Sequence, residues 1–130
     1  MKLELKGYVL MSKLSNYGLN RSHSVAYGMI AYQLAYLKAN APLYFFNSLL
    51  NSVIGSETKT SEYVFEARKR HIKILLPDVN RSYNQYGIED NALRFPFVGI
   101  KGIGSAVSSL IVEERNKKGE FRDFFDFTAR

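Results

Sequence analysis

A cluster of polar, basic and aromatic residues opens an apolar helical segment near the start of the chain; its members are Asn20, Arg21, Ser22, His23 and Tyr27. The first backbone N–H groups of a helix lack intrahelical partners, and the helix dipole is positive there. A phosphate at this position would meet Arg21, His23 and the free amides, while Tyr27, four residues after His23, would face a flat group. The cluster therefore predicts a nucleotide site, and an ordinary helix start capped by Asn20 or Ser22 is the alternative.

A glycine-containing turn precedes the last long helical segment. Gly102 and Gly104 flank Ile103 and follow Lys101. Glycines allow positive φ and remove side chains, so the amides of the turn and of the next helix can approach a phosphate closely. Ile103 is expected to point inward as the anchor of the turn. The predicted DNA-backbone contacts are Lys101, Gly102, Ile103, Gly104, Ser105 and Ala106, and an ordinary turn at a helix start is the alternative.

The composition limits the classes of protein to which the chain can belong. The 130 residues, 46% of them hydrophobic, suffice for one domain with a modest core or for a pair of small lobes. Eighteen Lys and Arg against 12 Asp and Glu give a net charge of +6, which favours polyanionic partners but also occurs in proteins that bind no nucleic acid. The lack of cysteine excludes disulfides and thiolate metal sites. We see no secretory signal and no apolar run that could span a bilayer, so we expect a cytoplasmic protein without a membrane partner.

Hydrophobic periodicity predicts a mainly α fold of the α+β class. The predicted helices cover residues 7–16, 22–39, 42–55 and 61–70, with Gly18 as the cap of the first. The predicted strands cover 72–76, 83–88 and 92–97, and the last two form a hairpin around 89–91. We expect this small sheet to be a lid or connector rather than a second domain. A further helix follows the glycine turn and ends in the charged segment 113–119.

The apolar stripe of the helix at 22–39 is wide enough to predict burial on most sides. Tyr32 and Tyr36 are expected to pack in the core as an i,i+4 pair. Gly28 suggests close approach of a neighbouring helix, with a nucleotide as the alternative. Phe45 and Phe46 are assigned to the core because the surrounding sequence is apolar and lacks interleaved Lys or Arg.

Two charged groups receive structural interpretations. The basic run 68–71 stands at a predicted helix C-terminus, where cations complement the dipole, and a DNA contact is the alternative. Asp123 and Asp126 lie among aromatic residues and are assigned to helix capping or the surface rather than to a metal pair. No metal site is predicted in the chain.

Several segments resemble, in the same order, the fingers domain of the alpha subunit of bacterial replicative DNA polymerase III, a C-family polymerase. The similarity covers nearly the whole chain from about residue 14. It is carried by residues 17–27, by 30–40 with Pro42, and by 72–80, 100–104 and 121–127.

The resemblance implies a helical fingers-domain segment over 1–71, a small β segment over 72–97 and a helix-hairpin-helix DNA-binding segment over 98–130. Ser108 stands where the motif usually has Ala. Family members carry a second hairpin soon after Phe127, so we expect the single hairpin of this chain to bind DNA weakly and without sequence specificity.

The resemblance also implies residue roles. Asn20, Arg21, Ser22 and His23 would hold the incoming deoxynucleoside triphosphate, Tyr27 would pack against the nascent base pair, and the 102–104 hairpin would grip the backbone of primer–template DNA. The parent would be a DNA-directed DNA polymerase, a nucleotidyltransferase of chromosome replication. Its catalytic carboxylates and Mg²⁺ are expected in the palm, so no catalytic residue or cofactor is assigned here, and the isolated chain is expected to be inactive. The sliding clamp and other replicase subunits would contact regions outside this chain.

Two other classes of function stay open. One is a stand-alone helix-hairpin-helix module that binds DNA non-specifically. The other is a structural or partner-docking segment, in which four late phenylalanines would form an exposed patch: Phe121, Phe124, Phe125 and Phe127.

Overall fold

The computed structural model describes Val9 and residues 21–130. The chain divides into two units, residues 1–36 and 37–130. Val9 is helical, while the rest of the helix predicted at 7–16, and its cap Gly18, lie outside the described residues. The segment boundaries predicted after residues 71 and 97 stay predictions. The predicted mainly α fold with a small sheet is confirmed.

Helix α1 spans Arg21–Asn40, which confirms the helix predicted at 22–39. Its predicted burial is wrong, because residues 21–37 are all exposed and the helix has no buried residue. Tyr32 and Tyr36 are 70% and 56% exposed, although their rings do pair at 6.4 Å between centroids. A Cβ at Gly28 would meet no described atom within 4 Å. The apolar pattern shows which side chains favour burial, but it does not show that the same chain supplies a surface to cover them.

Helices α2 (Pro42–Ser52) and α3 (Glu57–Lys69) begin the second unit. Pro42 occupies the first turn of α2, where its missing N–H costs no hydrogen bond. Helix α2 ends before the predicted Gly55, which has φ +95° in the connection. Helix α3 begins four residues before the predicted Ser61. Glu57 and Lys59 suit a helix, and Glu57 is favourable at the positive end of the dipole, so these polar residues extend the helix instead of forming a loop.

The sheet has three short strands, β1 (Ile74–Leu75), β2 (Gly87–Glu89) and β3 (Ala92–Arg94), in the order β1-β3-β2. Strand β1 is parallel to β3, with Ile74 opposite Leu93. Strands β2 and β3 are antiparallel, with Ile88 opposite Leu93, so the predicted hairpin is confirmed with shorter strands. Its two-residue turn has φ 48° at Asp90 and 58° at Asn91, as the type I′ turn requires.

One hydrophobic core joins helices α2 and α3 to the sheet. It is formed by Phe46, Leu50, Ala67, Ile72, Tyr86 and Leu93, with Phe45 packed against it. This confirms the prediction that Phe45 and Phe46 pack in the core. The sheet belongs to the same core as the two helices, which agrees with the expectation that it is not a second domain. A lid or connector role stays a prediction.

The side chain of Asn51 fastens α2 to the residue before β2. Its Nδ2 donates to the Tyr86 carbonyl at 3.1 Å, and its Oδ1 accepts from the Tyr86 N–H at 2.7 Å. Both backbone groups belong to a residue that is only 4% exposed. The pair replaces the hydrogen bonds that a neighbouring strand would otherwise provide.

The C-terminal part contains a 3-10 turn (Phe97–Gly99), helix α4 (Ser105–Lys118) and helix α5 (Phe124–Ala129). Asp123 caps α5 by accepting from the Asp126 N–H at 2.8 Å, and Asp126 accepts from the Arg122 N–H at 3.0 Å, which confirms the capping assignment. The Arg122 N–H is also the main cause of a lowered pKa for the Asp126 carboxyl. Within the described ranges no helix is both long enough and apolar enough to cross a bilayer.

The four late phenylalanines do not form one exposed patch. Phe121 is 6% exposed and packs edge-to-face on the half-buried Phe127, with 5.1 Å between centroids. Phe124 and Phe125 are 73% and 80% exposed. The guanidinium of Arg130 lies 4.4 Å from the Phe121 ring centroid and pairs with Glu114 at 3.2 Å, which ties α5 to α4.

We expect Asn51→Ala to lower the free energy of unfolding by about 2–4 kcal/mol, because two buried backbone groups of Tyr86 lose their partners at about 1–2 kcal/mol each. Urea unfolding followed by circular dichroism measures this change. Ser48→Ala, on an exposed position of the same helix, is the control and should change stability by less than about 0.5 kcal/mol. Equal stability of the two variants would contradict the fastening role of Asn51.

Candidate nucleic-acid interface

The glycine turn follows strand β3 and is held by hydrogen bonds between residues three positions apart. The Ile100 N–H donates to the Phe97 carbonyl at 2.9 Å, and the Ile103 N–H donates to the Ile100 carbonyl at 3.0 Å. Gly102 has φ +92°, in the region that favours glycine. The chain then enters helix α4 at Ser105. The predicted hairpin and helix are confirmed at these positions.

The two glycines have different roles. Gly104 has φ −83° and ψ 169°, an extended conformation open to any residue, so only Gly102 supplies the positive φ that the glycines allow in this turn. A Cβ at Gly104 would meet no atom within 4 Å. Gly104 occupies the N-cap position of α4, where a side chain would lie beside the first free amides. Its lack of a side chain therefore leaves these amides open.

The tip of the hairpin faces solvent. All the predicted DNA contacts are exposed except Ile103, which is half-buried as expected of an anchor: Lys101, Gly102, Gly104, Ser105 and Ala106. The first turn of α4 contains no acidic residue, and α4 has 14 residues. Its free amides and positive dipole end can therefore accept an oxyanion without opposing charge from that turn.

A close contact sets the start of the turn. A Cβ at Gly99 would lie 2.4 Å from Cε1 of Phe95, whose ring packs edge-to-face on Tyr86. Beneath the hairpin lies a cleft of about 760 Å³ that runs to the start of α3 and is bordered by Ile103 and Tyr86. Burial raises the pKa of Tyr86 to about 12, so its phenol stays neutral. The hairpin is thus attached to the core through the contact between Gly99 and the Phe95 ring.

Helix α4 is held by a polar side chain that sequence reasoning missed. Ser108 is fully buried and its hydroxyl donates to Asn84 Oδ1, while Asn84 Nδ2 donates to the Ser109 hydroxyl at 3.1 Å. The serine at the usual alanine position of the motif is thereby explained, because it is the partner of an internal amide. The sequence did contain one signal of this role, because Ser108 stands where the motif usually has alanine.

The burial of Arg115 was also not predicted from the sequence. The charged segment 113–119 is predicted to be solvated, but Arg115 is 6% exposed. Its Nη1 donates to the carbonyls of Val79 and Ser82, both at 3.1 Å, and its guanidinium lies 4.6 Å from the Tyr83 ring centroid. Sequence pattern gives no signal for this, because the partner residues lie more than 30 positions away.

The residues predicted for the nucleotide site lie in the first two turns of α1. Arg21, Ser22, His23 and Tyr27 are exposed, and the rings of His23 and Tyr27 lie 4.2 Å apart between centroids. Ser22 is inside the helix rather than at its cap. Asn20 lies outside the described residues. The structure brings His23 and Tyr27 together as their spacing predicts, and the nucleotide roles stay predictions.

The basic run at 68–71 ends helix α3. Arg68 and Lys69 lie in its last turn, as the dipole interpretation predicts. The ammonium of Lys69 lies 4.6 Å from the Phe65 ring centroid, a cation–π distance. His71 follows with φ +61°. A DNA contact by this run stays an open alternative.

Comparison with known proteins agrees with the geometry. A family model described as the helix-hairpin-helix motif matches residues 71–130. DNA polymerase III subunit alpha of Bacillus subtilis is 48% identical over 123 residues, or 95% of this chain. The chain is homologous to a segment of DNA polymerase III subunit alpha. The subunits of Borreliella burgdorferi and Deinococcus radiodurans are 42% and 41% identical over 95% and 96% of the chain. The chain spans about a tenth of these relatives, at 11%, 11% and 9% of their lengths.

The resemblance to this polymerase family is therefore confirmed. The similarity to the polymerase subunit extends over the α1–α3 helices as well as the hairpin, which argues against a stand-alone hairpin module. Within residue 9 and residues 21–130, no group of three His, Cys, Asp or Glu side chains could hold a metal ion.

We expect Gly102→Ala to destabilise the chain by about 1–3 kcal/mol, because alanine is strained at φ +92°. Gly104→Ala is the matched control two residues away, where the backbone is extended and the space is open. It should cost less than about 1 kcal/mol, because its backbone is unstrained and alanine is only a poorer N-cap residue than glycine. Urea unfolding of both variants measures the difference, and equal effects would contradict the distinct roles of the two glycines.

Proposed function

We propose that this chain is the part of a bacterial replicative DNA polymerase that binds the sugar-phosphate backbone of primer–template DNA through the hairpin at 102–104. The observation that carries the proposal is the open start of helix α4, where Gly104 leaves the first amides uncovered and exposed. A phosphate oxygen at this place would accept hydrogen bonds from amides that have no intrahelical partner. Lys101, exposed in the same turn, would add charge.

This mode of binding has defined physical properties. Backbone amides meet phosphates in the same way whatever the base sequence, so affinity is independent of sequence. The net charge of +6 adds a long-range attraction. Each phosphate that is neutralised releases condensed counterions, so the logarithm of affinity falls with the logarithm of salt concentration by about 0.9 per phosphate. In this proposal the chain acts in chromosome replication, in the bacterial cytoplasm.

Gly104→Val tests the hairpin directly. The extended backbone accepts valine and the added Cβ meets nothing within 4 Å, so the fold should persist while the side chain covers the amides of the first turn. We expect affinity for a 30-base-pair duplex, measured by fluorescence anisotropy at low salt, to fall about tenfold or more, which corresponds to the loss of a charged hydrogen bond.

The matched control is Gly87→Val in strand β2, where a Cβ also meets open space and valine suits a strand. Its duplex affinity should stay within about twofold of the original chain. If Gly104→Val binds duplex as tightly as Gly87→Val does, the hairpin is not the binding element.

We further propose that the first turn of α1 holds the triphosphate of an incoming nucleotide in the whole polymerase. The exposure of Arg21 and His23 at the positive end of a 20-residue helix supports this, as does Tyr27, whose ring lies beside that of His23. Arg21 would offset the charge of the leaving pyrophosphate. Mg²⁺ would act in the palm of the whole protein. Contacts with the sliding clamp and other replicase subunits remain predictions.

Arg21→Ala in a full-length polymerase III alpha subunit that carries this segment should raise the KM for deoxynucleoside triphosphates about tenfold or more, because a charged hydrogen bond to phosphate is lost. Steady-state primer extension measures this constant. Lys59→Ala, which removes an exposed cation on α3, is the control and should leave KM unchanged. Unchanged KM in Arg21→Ala would remove the anion site from the proposal.

A further inference from the structure

Tyr83 presents one face of its ring to solvent. The guanidinium of Arg115 lies 4.6 Å from the ring centroid, and Arg115 is only 6% exposed, so one face of the ring is covered by a buried cation. The Tyr83 residue is nevertheless 55% exposed. The exposed area therefore belongs to the opposite face and the edge of the ring. An exposed aromatic face of this kind can stack a planar group.

The backbone under this ring is fixed on both sides. The Tyr83 carbonyl accepts from the Phe97 N–H at 2.9 Å. The preceding Ser82 is fully buried and donates to the Phe95 carbonyl at 2.8 Å, and the following Asn84 is held by Ser108 and Ser109. A platform that is ordered before a ligand arrives loses little further conformational entropy on binding.

A pocket of about 440 Å³ lies beside Tyr83 and is lined by Tyr83, Asn84, Gln85, Ser109, Val112 and Glu113. Its volume falls within the range of ligand sites, about 300–1,000 Å³. Glu113 is exposed and lies 3.7 Å from Lys117, which offsets its charge. Gln85 is also exposed. An amide and a carboxylate beside an aromatic face are the groups that hydrogen-bond to the edges of nucleobases.

The pocket lies along the helix that begins at the hairpin. Ser109 and Glu113 share one face of α4, and Ser109 comes four residues, or about 6 Å of helix, after Ser105. A strand with a phosphate at the start of α4 therefore passes within one helical turn of the pocket. The bases of a duplex are paired and stacked on their neighbours, so only an unpaired base is free to enter.

We infer that the Tyr83 pocket binds an unpaired nucleobase of the DNA strand whose backbone is held at the hairpin, with the base stacked on the exposed face of Tyr83. The inference rests on the proposed function, because the hairpin brings the strand to the pocket. Stacking on an aromatic ring is tolerant of base identity. The site therefore adds affinity for single strands and adds little sequence preference.

Tyr83→Leu, tested in the whole 130-residue chain, removes the aromatic face and keeps an apolar side chain over Arg115. We expect its affinity for a labelled 12-nucleotide single strand to fall about 5- to 100-fold, the effect of losing one stacked base. Tyr83→Phe is the matched control and should stay within about twofold of the original chain. Both variants should bind a 30-base-pair duplex as the original chain does. Fluorescence anisotropy at low salt measures all of these affinities.

A second readout uses the original chain and does not depend on the folding of a variant. A single 2-aminopurine among thymines in the 12-nucleotide strand should lose fluorescence on binding, since stacking quenches this base, and Tyr83→Phe should behave in the same way. Unchanged emission on binding to the original chain would overturn the inference. So would unchanged single-strand affinity in Tyr83→Leu, and in both cases the hairpin proposal would stand. If the original chain bound neither single strand nor duplex, the proposed function itself would fail.

Discussion

The position of the hairpin depends on how helix α4 is attached to the rest of its unit. A buried cation, Arg115, donates to two carbonyls of the segment before β2, and Ser108 pairs with Asn84 of the same segment. The two hydrogen bonds from Nη1 offset part of the cost of removing the Arg115 charge from water. These contacts hold α4 at Ser108, one turn after its start, and at Arg115 in its C-terminal half, while Ser105 and Ala106 at its start face solvent.

The hairpin is joined to the core through the strand that precedes it. Strand β3 is the central strand, with Leu93 fully buried, and the chain runs from it through Phe95 and the 3-10 turn into Gly102. The close approach of Gly99 to the Phe95 ring and the left-handed Gly102 fix the direction of the turn. A rigid base of this kind places backbone amides at a constant position without ordering cost on binding.

The proposed function uses groups of the chain that are suited to phosphate binding. The chain presents free helix amides, exposed cations and exposed aromatic rings. These groups bind and orient polyanions. In the proposed function, this segment therefore contributes the binding and orientation of DNA.

The sequence by itself determined the features that depend on neighbours along the chain. These are the helices, the two-residue turn at Asp90–Asn91, the positive φ of Gly102 and the capping by Asp123, since each follows from periodicity or local hydrogen bonding. Only the tertiary structure decided the parallel pairing of β1 with β3, the burial of Arg115 and Ser108, and the exposure of α1. These features depend on groups distant in sequence, or on a covering surface, and a local pattern contains no information about either.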